Sequence, residues 1–214
     1  MRQKTTIGLV LVILAAFTAA PRWSVAAELD EGLLVPAWFG VPDIQFRETD
    51  DIDYFWVKPG FSLQGRKLHI TEWSDPELLG EKRDAKDSAK ATELTESMPG
   101  LIRGSLKTAL QGIAEVSKEE GNLAVTGQIV DCNAGSKAAK WLVGMGAGSA
   151  SATWNLKITD TASGEVVLAL HHRSISGTNM SEIDDKVIQW LEELGEALKG
   201  DLTKLYDTAK KVKK

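Results

Sequence analysis

Three glycines, Gly144, Gly146 and Gly148, are spaced as G-x-G-x-G, a pattern that could cradle phosphate. Phosphate loops follow a strand and open a helix whose N-terminal amides face the anion. Here the glycines run into an alternating, strand-like segment; no later glycine completes the usual spacing, and no Gly-Lys-Ser/Thr follows. Nucleotide binding is not expected. His171 and His172 are adjacent on a predicted strand, so their side chains take opposite faces and cannot grip one ion together. His69 is expected on the solvent side of another strand. With no H-E-x-x-H and no Cys/His spacing, metal catalysis has no support in the sequence.

The single thiol, Cys132, has Asp131 and Asn133 as neighbours, which supply no cation to lower its pKa. A half-buried strand residue is expected there. No serine lies in G-x-S-x-G. The acidic pairs Asp50 and Asp51, Glu119 and Glu120, Asp184 and Asp185, and Glu192 and Glu193 fall at element ends or on helix surfaces, where solvation accounts for them. No catalytic, cofactor-binding or metal-binding residue is assigned, the binding surface is left unassigned, and an enzyme is not expected.

The elements that would position any site are organised around residues 143–174. Ala150, Ala152, Trp154, Leu156 and Ile158 alternate with Ser151, Thr153, Asn155, Lys157 and Thr159, the period of a strand with one buried face. A strand over residues 148–159 would be about 40 Å long, so either the hairpin is unusually long or the glycine part is loop. Asp160 to Gly164 supply the turn, and an apolar strand returns. Upstream, residues 52–58, 66–73 and 122–130 are β-branched and aromatic runs bounded by turn formers, and each predicts a strand.

Leu94, Met98, Ile102, Leu106, Leu110, Ile113 and Val116 keep one helical stripe that Glu119, Glu120 and Gly121 would end; Pro99 and Gly100 predict a kink or a join within it. A second long helix is expected from Ile183 to Leu205, capped by Ser181 with Asp184 and bent near Gly200. Residues 136–142 could form a short helical turn. Lys210, Lys211, Lys213 and Lys214 predict a solvated tail beside the negative helix end.

At the amino end, Arg2 and Lys4 precede an apolar run from Ile7 to Ala20, and small residues follow up to Ala27. These are the three parts of a secretory signal, with cleavage expected after Ala26 or Ala27. Removing residues 1–27 takes out Arg2, Lys4 and Arg22 and no acid, moving the formal net charge from −5 to −8. An acidic exported domain is a poor match for nucleic acid, whose binding needs phosphates neutralised. Residues 28–50 carry Pro36, Gly40 and Pro42, too broken for a regular element, and are expected to be an arm laid over the body rather than an exposed patch around Trp38 and Phe39. Residues 51–214 then form one α+β domain.

The run LVGMGAGSASATWNLKITDTASGEVVLAL, with VKPGFSLQGRKLHITEW upstream, resembles an uncharacterised bacterial family of exported, often lipid-anchored domains of unknown function. That resemblance implies an α+β domain similar to periplasmic modules of outer-membrane assembly and secretion lipoproteins, and it carries no catalytic residues across. The chain departs from the pattern in lacking a lipid-bearing cysteine after its apolar run.

The expected fold is therefore a sheet of about five mostly antiparallel strands with two long helices packed on one face. The expected function is a non-enzymatic periplasmic interaction module at the cell envelope, periplasmic or secreted, with an envelope or outer-membrane protein as partner. No cofactor, no nucleic acid and no stable membrane span after signal cleavage are expected, and a homo-oligomer is compatible with this reading. The alternative is a carrier of a small apolar or envelope-derived ligand, held between sheet and helices or under the arm.

Overall fold

The computed structural model describes residues 33–50, 52–80, 83–136, 148–176 and 182–211. The predicted signal, Gly144 and Gly146, the turn beyond Ser136, Ser181, and Lys213 with Lys214 lie outside these residues. In chain order the elements are α1 (Pro36–Phe39), β1 (Arg47–Glu48), β2 (Tyr54–Val57), β3 (Lys67–Ile70), α2 (Ala85–Ala109), β4 (Glu115–Ser117), β5 (Leu123–Asn133), β6 (Ser151–Asp160), β7 (Val166–Ile175), α3 (Ile183–Lys199), α4 (Leu202–Thr208) and β8 (Lys210–Lys211).

Among the described residues the strands form one eight-stranded sheet in the order β4-β3-β5-β6-β7-β2-β1-β8. The five expected strands are its centre. The three further strands, β1, β4 and β8, are two or three residues long and too short to carry an alternation. The sheet is mixed: β3 pairs parallel to both β4 and β5, and the other pairings are antiparallel. A parallel pair needs a crossover, and α2 with its following turn supplies it between β3 and β4.

The β6–β7 hairpin fixes the two faces. Trp154 stands opposite Ile129 and His172, Leu156 opposite Leu170, and Ile158 opposite Val125 and Leu168. Directly opposed residues share a face, and this one packs against Leu94, Met98 and Ile102 of α2 and Trp190, Leu191 and Leu194 of α3 in one buried cluster. Gly148 has φ +76° and lies in a turn before the strand, so the glycine end is loop. The strand proper, at ten residues, still reaches about 33 Å. At the turn, the Asp160 carboxylate accepts the Ala162 and Ser163 amides, each at 3.1 Å, and Gly164 takes φ +72°.

Helix α2 is one helix rather than a join of two, and it ends earlier than expected. It runs without a break through Pro99, because Leu94, Met98, Pro99, Ile102 and Leu106 are all buried on the same core and packing outweighs the missing amide. It ends at Ala109, not near Glu119. Gly112, at φ +79°, turns the chain, and Val116 lies on β4. The stripe kept its spacing past the helix because Ile113 and Val116 pack on the same core from outside it. At the start, Asp84 accepts the amides of Lys86 at 2.8 Å and Asp87 at 2.9 Å.

The C-terminal helix is two helices. Gly200 stops α3, and Asp201 begins α4 by accepting the Lys204 amide at 3.0 Å. The cap of α3 is Glu182, whose amide donates to Asp185 at 3.3 Å, not the expected Ser181 and Asp184 pair. Gly195 has a packing role inside α3: a Cβ there would come within 2.6 Å of the Ala109 Cβ. Lys210 and Lys211 pair with Glu48 and Arg47 as β8, so part of the expected tail is sheet edge.

Residues 33–50 contain a one-turn helix and a short strand, more regular structure than their prolines and glycine suggest. They cover the sheet face away from α2 and α3. Phe39 is fully buried, edge-on to Phe46, which is edge-on to Tyr54 of β2. Lys157, on the same face, donates to the Trp38 carbonyl at 2.7 Å with its ammonium 4.4 Å from the Trp38 ring centre.

Candidate functional site

His172 projects toward the helices, stacked on Trp190 at 4.4 Å between centroids and edge-on to Trp154 at 5.5 Å. Its Nδ1 lies 3.2 Å from Asp53, which also accepts the Arg173 amide at 2.7 Å. Burial pushes the Asp53 carboxyl up, but the His172 ring and the Arg173 amide outweigh it and hold the group below its ordinary value.

His171 projects the other way, beneath the arm. It is fully buried, edge-on to Tyr54, with Nδ1 2.6 Å from the Asn155 side-chain oxygen. An amide oxygen only accepts, so Nδ1 carries the hydrogen and donates. Burial pushes the His171 pKa down to about 4, with Asp53 opposing and His172 reinforcing. The folded protein thus keeps this ring neutral where the unfolded chain, near 6.5, takes up a proton. The associated stability is complete above about pH 6.5 and falls as pH drops toward 4, by about 3 kcal/mol in total. Asp53 adds its own loss only below about pH 4. Denaturant titrations at pH 7 and 4.5 should show this decline, and a His171→Asn variant should flatten it; an equal slope in the variant would refute the assignment.

His69 sits on β3, separated from β7 by β5 and β6, three strand spacings or about 14 Å. The three histidines therefore do not converge. Cys132 is fully buried rather than half-buried, because a bulge between Ile129 and Asp131 shifts the alternation and turns its thiol toward the helices. Burial, with Asp87 and Asp131 nearby, pushes that thiol up to about 12. Iodoacetamide at pH 8 should leave the folded protein unlabelled and modify one site after urea unfolding; native labelling would contradict the burial. Asp131, on the opposite face, is ion-paired to Arg83, whose Nε lies 2.7 Å from one carboxylate oxygen. Among the described residues no group of three or more His, Cys, Asp or Glu could hold a metal ion.

Three carboxylates of the acidic pairs have local partners. Asp184 pairs with Lys90 at 2.8 Å, Glu120 lies 3.9 Å from Lys67, and Glu193 accepts from Gln189 at 3.0 Å. Asp51 lies outside the described residues.

One surface feature was not legible as a site. A groove of about 750 Å³ runs along the outer seam of α2 and α3. Its α2 wall is Gly100, Gly104 and Thr108, one helical turn apart, with Leu101 and Ser105 beside them. Ser105 ties the walls together by donating to the Leu191 carbonyl at 2.9 Å. On the α3 side, Leu191 forms the floor and Ile188 stands 42 % exposed. Glu192, Glu193 and Glu196 line the same wall, with Lys199 paired to Glu196 at 2.6 Å, so the lining holds three carboxylates against one ammonium.

A Cβ added at Gly100 or Gly104 would meet nothing within 4 Å, and neither residue has positive φ. Each costs a helix interior about 1 kcal/mol relative to alanine. Nothing in the fold requires them, and their effect is to keep the groove open. The available signal was the i, i+4 spacing of Gly100 and Gly104 on the polar side of α2.

The layered sheet with two helices on one face defines an α+β domain. Residues 57–188 match the family described as Domain of unknown function (DUF4410), and the chain belongs to that family. No curated protein matches the sequence. Among solved structures, the chain is similar to the PelC dodecamer from Paraburkholderia phytofirmans, with 9 % identity, a TM-score of 0.45, and coverage of 69 % of this chain and 96 % of that one. It is also similar to protein XCC0632 from Xanthomonas campestris, with 13 % identity, a TM-score of 0.42, and coverage of 71 % and 93 %. Among the described residues no helix is long and apolar enough to cross a membrane.

Proposed function

We propose that this chain is a non-enzymatic accessory module of the bacterial cell envelope, exported through a cleaved signal over residues 1–27 and acting by binding an envelope protein. The observation that carries the reading is the contrast between its buried polar groups and its groove. His171 contacts Asn155 at 2.6 Å, His172 lies 3.2 Å from Asp53, and Asp131 is ion-paired to Arg83. The open concavity between α2 and α3 has an apolar floor, an acidic wall and no histidine or cysteine. That is a surface suited to recognition rather than proton transfer.

A carrier of a small apolar ligand is the second reading, favoured by the groove's volume, which lies within the range of ligand pockets. Among the described residues, Trp154, Leu156 and Met98 are buried between sheet and helices and Phe39 is buried under the arm, which weighs against an interior ligand site.

Expression of the full chain in a Gram-negative host tests the proposal. Export predicts a mature protein in the periplasmic extract beginning at Ala27 or Glu28, cross-linked to an envelope protein at fixed stoichiometry. Unprocessed chain confined to the cytosol would overturn it. A small molecule retained through native mass measurement would favour the carrier.

A further inference from the structure

We infer that the groove between α2 and α3 receives a basic amphipathic helix from a partner protein, an inference that rests on the interaction-module reading and specifies its contact. The wall residues set the occupant's shape. The α2 side offers backbone and small side chains from Gly100 to Thr108, so a cylinder can approach closely without displacing anything. The lining spans residues 100–109 of α2 and 188–199 of α3, about 15 to 18 Å of helix, which is three turns of an incoming helix. An occupant of that kind buries anchors at i, i+3, i+4 and i+7, and Ile188, Leu191 and Leu101 supply the apolar surface to meet them.

Charge selects among helices. Lys199 pairs with Glu196 and Glu193 accepts from the neutral Gln189, so among the described residues Glu192 and Glu193 have no cationic partner along the wall. A flanking row of Lys or Arg on the occupant answers them. A second copy of this chain would bring the same carboxylates against each other, which disfavours self-association through this face.

The probe is a fluorescein-labelled peptide of about 18 residues with leucines on one helical face and lysines on the other, titrated with the mature protein by anisotropy. The Gly104→Leu variant is informative because a Cβ at that position meets nothing within 4 Å and leucine is a better helix former than glycine. It should fold at least as stably as the parent while filling the groove. Expected are saturable binding of the lysine peptide, about tenfold or greater weakening by Gly104→Leu and by Glu192→Lys/Glu193→Lys, and no binding of a glutamate-for-lysine peptide. Binding unchanged in a stably folded Gly104→Leu protein, or no saturable binding, overturns the inference. A protein dimer abolished by Gly104→Leu would assign the groove to a second copy, and a bound small molecule released by it would assign the groove to a carrier; either overturns the inference. Envelope cross-linking that survives Gly104→Leu overturns the groove while leaving the interaction-module reading intact.

Discussion

Replacing Trp154 with alanine is expected to lower the unfolding free energy by about 3–5 kcal/mol, the range for emptying a large aromatic site in a packed core. The indole is fully buried, stands between Ile129 and His172 on neighbouring strands, and meets Trp190 edge-on at 5.2 Å. Removing it leaves a void where β5, β6, β7 and α3 meet and unseats the His172–Trp190 stack, so relaxation by any one side chain cannot close it. Trp154→Phe should lose much less, because the indole N–H has no acceptor among the described residues and its removal forfeits no hydrogen bond. Urea unfolding followed by far-UV circular dichroism distinguishes these cases. A Trp154→Ala loss below about 1 kcal/mol would mean that the hairpin is not the keystone of the core.

Arg83→Met should cost about 3–5 kcal/mol, the range for breaking a buried ion pair from one side. Asp131 is 2 % exposed, and its carboxylate lies 2.5 Å from where a Cβ at Gly80 would sit, so little room is left for water to replace the guanidinium. The double substitution Arg83→Met/Asp131→Asn removes both charges and should recover a substantial part of the loss. If the single and double variants are equally unstable, the cost belongs to lost arginine packing instead.

The alternation ahead of Asp160 was enough to place the central hairpin, its buried face and the Asp-to-Gly turn, because a two-residue period has one structural meaning when a polar turn closes it. The stripe from Leu94 to Leu106 likewise placed α2 and the face it buries. What the stripe could not reveal was its own end: Ile113 and Val116 kept helical spacing because strand and helix contribute to the same core. The edge strands β1, β4 and β8 are defined by tertiary pairing, with too few residues to show a period. Cys132 turned inward because of a bulge that leaves no mark in composition. The groove was missed for a related reason. Gly100 read as a helix breaker beside Pro99, whereas α2 is held by its buried face and the glycines shape its outer one.

The seam between α2 and α3 is the surface we propose meets another protein. Photo-crosslinking in the exported full-length protein addresses it most directly, with a benzophenone amino acid placed at position 188 in the groove or at position 162 on the exposed hairpin turn. A discrete protein adduct from position 188, absent from position 162 and lost in the Gly104→Leu background, is the predicted result. An adduct from position 162, or none from position 188 in correctly exported protein, would contradict the account.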